Sequence, residues 1–99
     1  MTVKALRARG YTVLEARDGR EALDVAGAWN APLDLLVTDV EMPNLGGREL
    51  AQALSAQRPG LRVVFISGRQ VVGLPPSALF LLKPFTPAQL AGTVRRALE

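Results

Sequence analysis

Apolar and polar positions along this chain follow two alternating periods, and each switch between them marks an element. Leu35-Leu36-Val37-Thr38-Asp39 is a short apolar run that stops at a carboxylate, with Pro43 and the Gly46-Gly47 pair close behind. A run of that length between turn signals predicts a strand buried on both faces of a parallel sheet. Leu61–Ile66 and Ala78–Leu82 read the same way and end at Ser67-Gly68 and Lys83-Pro84. Tyr11–Ala16 alternates, is broken by Asp18-Gly19, and predicts a further strand.

Helical spacing fills the intervals. Residues 1–10 read as the end of a helix, with Val3 and Leu6 on one face, Arg7 and Arg9 in the last turn and Gly10 as the stop. Asp18 followed by Glu21 is a capping-box-like start to a second helix, whose apolar face is Ala22, Leu23, Ala26 and Trp29. Gly46–Gln57 predicts a third, with Leu50, Ala53, Leu54 and Gln57 on its spacing. The last carries the clearest start signal: Thr86 as N-cap, Pro87 at the first helical position, and Gln89 to complete a capping box. Leu90, Val94, Ala97 and Leu98 form its stripe. Between Arg69 and Ser77, Gly73 and Pro75-Pro76 interrupt any period. Strands alternating with helices predict an α/β fold, a parallel sheet with helices on both faces.

Composition narrows the chemistry. The 99 residues suit one small domain, and 48% hydrophobic with 21% charged residues is an ordinary globular balance. With no cysteine and no histidine, disulfides, a zinc site and a histidine-activated nucleophile are excluded. The net charge is only +3, and the arginines are scattered without a basic run, which argues against direct nucleic-acid binding. No apolar run approaches the roughly 20 residues of a membrane span, and the N-terminus lacks a signal-peptide hydrophobic region, so a cytoplasmic chain is expected.

The predicted strands end in Asp39, Ser67 and Lys83. In a parallel sheet all carboxyl ends share one edge, where ligands collect, so these side chains converge without being near in sequence. A carboxylate, a hydroxyl and an ammonium together suit phosphoryl transfer to the carboxylate. Asp39 is the nucleophile, Lys83 pairs with the phosphoryl charge, and Ser67 donates to a phosphoryl oxygen. A divalent cation would offset the charge of the approaching phosphate, and magnesium favours one or two carboxylates with substrate oxygens and waters.

These motifs resemble response-regulator receiver domains. The likeness is carried by Asp39-Val40-Glu41-Met42-Pro43 with Gly47, by Val64-Phe65-Ile66-Ser67-Gly68, and by Leu82-Lys83-Pro84-Phe85-Thr86. Gly10-Tyr11-Thr12-Val13 and Asp18-Gly19-Arg20-Glu21-Ala22-Leu23 extend it over nearly the whole chain, in the flavour of receivers attached to hybrid sensor kinases. The resemblance implies a flavodoxin-like, doubly wound parallel sheet and a cytoplasmic module phosphorylated on Asp39 by a histidine kinase or phosphotransfer protein. It makes Ser67 and Lys83 its partners, Phe80 a switch aromatic, Asp39 and the Glu41 backbone carbonyl magnesium ligands, and Lys83-Pro84 a cis peptide. Family receivers are signalling modules that assist only their own phosphorylation and dephosphorylation.

The departures from the family are specific. Receivers begin with a strand ending in two acidic residues that hold magnesium, and this sequence starts after it; the segment from Ser67 to Phe80 is also short for the usual fourth helix. The expectation is therefore a single receiver-like domain, 1–99, incomplete at its N-terminus through truncation or a misassigned start. It would have only four strands and weak or absent magnesium binding. Losing a central strand removes several buried side chains at roughly 1.5–3 kcal/mol each, comparable to a domain's whole ~5–15 kcal/mol. Three outcomes are open: the Val13 strand closes against the Val37 strand, another chain fills the gap, or the natural product starts further upstream. A rearranged sheet is expected for these residues alone, with exposed edges that would permit self-association. The alternative function is a degenerate receiver that acts by protein–protein contact without phosphorylation.

Overall fold

The structure is a computed structural model that describes residues 2–99; Met1, placed by its sequence in the first helix, lies outside the described residues. The elements are α1 (Thr2–Ala8), α2 (Gly19–Ala28), β1 (Leu35–Asp39), α3 (Gly47–Gln57), β2 (Arg62–Ser67), β3 (Leu79–Leu82) and α4 (Pro87–Leu98). The strands form one parallel sheet in the order β1-β2-β3. Among the described residues, no helix is long and apolar enough to cross a membrane.

Helix ends follow the local chemistry. Gly10 stops α1 at φ +91°, a conformation that costs glycine little. Asp18 caps α2 by accepting the Glu21 N–H, and Thr86 with Gln89 forms the full capping box of α4. The Lys83-Pro84 peptide is cis, as the resemblance implies.

The sheet is covered on both sides, because β2 turns successive side chains to opposite faces. Ile66 packs with Leu6, Leu90 and Val94 under α1 and α4. Phe65 on the other face packs with Val40 and Ala51 of the α3 side, and Ala26, Leu50 and Leu54 join α2 to α3. Phe65, Leu50, Leu90 and Val64 are the largest fully buried side chains.

Several expectations need correction. Tyr11–Ala16 is not a strand: among the described residues, the backbone groups of 12–16 have no backbone partner. The sheet therefore has three strands rather than four. The rearranged sheet does not form either, for an apolar cleft of about 730 Å³ lies between Tyr11–Asp18 and the outer edge of β1. Alternation identified side chains correctly, since Tyr11 and Val13 pack toward Ile66 and Leu90. A ladder, however, requires a neighbour within hydrogen-bond reach. Arg7 holds this segment instead, donating to the Val13 carbonyl at 2.9 Å and pairing with Glu15 at 3.3 Å. In α3, Gln57 is exposed and Ala51 is buried. Trp29 is the half-buried C-cap of α2 rather than core, with its indole N–H donating to the Pro32 carbonyl at 3.3 Å.

Candidate functional site

The site lies on the carboxyl edge of the sheet, where strand register brings distant residues together. Asp39 is opposite Ile66, so Ser67 lies one residue further along β2; Leu82 is opposite Ser67, so Lys83 follows just beyond β3. The Lys83 N–H donates to the Ser67 carbonyl at 2.8 Å, and the Val40 N–H to the Ile66 carbonyl at 2.9 Å. These bonds fix the three strand ends against one another.

Lys83 Nζ stands 3.0 Å from Asp39 Oδ1, with about half of each side chain exposed (50% and 45%). An ion pair this open is worth only about 0–1 kcal/mol to the fold. Its significance is positional: an ammonium is held where a second anion could join the carboxylate. Ser67 is buried, and its Oγ accepts the Arg69 N–H at 3.2 Å, which leaves its own hydroxyl proton to donate.

The loop after β1 is packed against Asp39 from behind. The Gly47 N–H donates to the Val40 carbonyl at 2.9 Å, and a Cβ on Gly47 would fall 2.0 Å from the Asp39 carbonyl oxygen. Only glycine permits that approach, so α3 can begin directly behind the carboxylate. The Thr38 hydroxyl donates to the same Asp39 carbonyl at 2.9 Å.

Two further side chains frame the mouth, and the sequence reading did not pair them. Glu41 and Arg69 form an ion pair across the edge, and Arg48 donates to the Val72 carbonyl at 2.7 Å, tying the loop after β2 to α3. Each follows a strand end, Glu41 two residues past Asp39 and Arg69 two past Ser67, but their pairing depends on the β1–β2 register, which sets Asp39 opposite Ile66. Asp18 reaches the same edge, where Asn44 Nδ2 donates to its Oδ2 at 3.0 Å. The Glu21 backbone N–H first, and then Asn44, hold the Asp18 carboxyl below the ordinary aspartate range.

Phe80 is opposite Phe65 in the β2–β3 register. It is half-buried against the Val40, Ala51 and Phe65 cluster, beside Val71 and Leu74 of the connecting segment.

The donor set fits a strong magnesium site poorly. Among the described residues no three acidic side chains cluster. Asp39 already holds the Lys83 ammonium and the Glu41 carboxylate holds Arg69.

The model of the response regulator receiver domain family matches residues 1–95. Among curated proteins, the chain is 41% identical to the sensor kinase CckA of Brucella abortus over 98% of its own length and 11% of that protein. It is 34% identical to the response regulator receiver protein CpdR of the same organism, over 97% and 83%. The chain thus spans a small part of one relative and most of the other. Among solved structures, the receiver domain of the hybrid histidine kinase CckA superposes with a TM-score of 0.85 at 39% identity, covering 99% of this chain and 86% of that one. The chemotaxis response regulator CheY4 of Vibrio cholerae gives 0.83 at 32%, covering 99% and 87%.

Proposed function

The chain belongs to the response regulator receiver family, and on that premise we propose that it accepts a phosphoryl group on Asp39 from a histidine kinase or phosphotransfer protein in the cytoplasm. The observation that carries this reading is the 3.0 Å Lys83–Asp39 pair on an edge shared with Ser67.

The chemistry needs little from the protein beyond placement and charge. With Oδ1 engaged by Lys83, Asp39 Oδ2 attacks phosphorus. The O–P bond forms as the donor's N–P bond breaks, and the freed imidazole nitrogen takes a proton. The product is an aspartyl phosphate. Lys83 shifts from the carboxylate to a phosphoryl oxygen, a charge-assisted bond that strengthens as charge accumulates there. The Ser67 hydroxyl donates to a second phosphoryl oxygen. Phe80 is the side chain that follows this change inward, because it packs on the same cluster as the half-buried Val71 and Leu74 of the connecting segment.

A bound magnesium would supply positive charge beside the phosphoryl oxygens. In this chain Asp39, with the Glu41 backbone carbonyl, would hold it weakly. Retention of Asp39, Ser67 and Lys83 on one edge favours phosphoryl acceptance over a phosphorylation-independent interaction module.

The test is intact-mass spectrometry after incubation with a small phosphodonor such as acetyl phosphate. One phosphoryl group is expected on the natural chain and none on Asp39→Asn. An unmodified natural chain, over a range of magnesium concentrations, would sink the reading.

A further inference from the structure

The loop from Glu41 to Gly46 joins Asp39 to α3, and a strained turn lies at its middle. The Leu45 N–H donates to the Pro43 carbonyl at 2.8 Å, closing a three-residue turn around Asn44 at φ +71°. Among the described residues, Asn44 is the one residue other than glycine with a positive φ. A turn of that size and φ is rare, and it persists only where its surroundings hold it.

Two contacts from the start of α2 hold it here. Asn44 Nδ2 donates to Asp18 Oδ2 at 3.0 Å, while the Glu21 N–H donates to the other oxygen, Oδ1, at 2.8 Å. One carboxylate thus caps α2 with one oxygen and holds the turn with the other. The next residue on each side adds a close approach, for a Cβ on Gly19 would run into the Leu45 carbonyl oxygen and Cβ.

The same loop is set against Asp39. The Gly47 N–H donates to the Val40 carbonyl at 2.9 Å, and Gly47 lies directly on the Asp39 carbonyl. That bond closes the loop on itself, so a relaxed turn is felt at its two ends: Glu41 at the mouth of the site and Gly47 behind the carboxylate. Asn44 is exposed, and water competes for its bond to Asp18, so the bond adds little to stability. What it fixes is geometry, to which group transfer is far more sensitive. Resting on the reading of Asp39 as the phosphoryl acceptor, we propose that Asn44 is a positioning residue for that step, held by Asp18 so that the start of α2 sets the loop beside Asp39.

The experiment compares the rate of phosphoryl uptake from acetyl phosphate, followed by intact mass, with urea midpoints for the natural chain and three variants. Asn44→Gly keeps the positive φ without strain and deletes the amide. Its uptake is expected to slow roughly tenfold while its midpoint holds or rises. Asn44→Asp sets two carboxylates face to face and should slow uptake at least as much. Asp18→Asn combined with Asn44→Asp exchanges donor and acceptor, leaves the total charge unchanged and keeps a good N-cap on α2. That double variant is expected to regain most of the natural rate. Uptake by Asn44→Gly at the natural rate, or a double variant as slow as Asn44→Asp, would overturn the proposal. So would slowing that follows loss of stability in every variant, the mark of a purely structural role. A natural chain that takes up no phosphoryl group defeats the reading of Asp39 and this inference with it, whereas the other failures leave that reading standing.

Discussion

Lys83 Nζ lies 3.0 Å from Asp39 Oδ1, joining the residue just beyond β3 to the last residue of β1 across the end of β2. Because both side chains are about half exposed, the pair does little for the fold and much for the charge at the edge. Lys83→Met should therefore shift the urea midpoint by the equivalent of about 1 kcal/mol or less. The same variant should lose most of its phosphoryl uptake, read by intact mass. A large loss of stability would mean that the lysine is structural.

Gly47 sets how closely α3 approaches Asp39. Gly47→Ala would bring a methyl within 2.0 Å of the Asp39 carbonyl oxygen, so β1 and α3 must move apart. Overpacking of this kind costs about 1–3 kcal/mol. Chemical denaturation should register that loss, and phosphoryl uptake should fall with it as the carboxylate shifts.

Asp18 should give the fold an acid-sensitive increment. The Glu21 N–H and Asn44 hold its carboxyl below the ordinary aspartate value in the folded chain. Its contribution is therefore complete above the unfolded pKa and is lost as pH falls through the lower, folded one. Asp18→Ala should be less stable than the natural chain at neutral pH, and the gap should close in acid. Urea midpoints measured across the acid range check the sign, and a gap that widens on acidification would refute it.

Magnesium should bind weakly, since the described residues contain no acidic cluster and the Asp39 carboxylate is shared with Lys83. A calorimetric titration should show no tight saturable site, and any weak signal should vanish in Asp39→Asn.

The sequence disclosed the site more fully than the sheet. Asp39, Ser67 and Lys83 were legible because each closes an apolar run, and parallel strands deliver their ends to one edge whatever the loops between them. Thr86 and Gln89 announced α4 through purely local chemistry. Tyr11–Ala16 misled because alternation reports which side chains face inward, whereas strand pairing depends on what lies alongside. The Glu41–Arg69 pair went unseen because it depends on strand register, fixed only when β1 and β2 are aligned. Ala51 was missed because the buried face of α3 is broader than a stripe at three- and four-residue spacing, and it reaches Phe65.

The central claim is that Asp39 itself takes the phosphoryl group, and trapping the acyl phosphate tests it most directly. Borohydride reduces an aspartyl phosphate to homoserine, which peptide sequencing by tandem mass spectrometry can locate. After treatment with acetyl phosphate, conversion is expected at Asp39 and at no other acidic residue. Conversion at Asp18 or Glu41 with Asp39 intact, or none at all, would contradict the account.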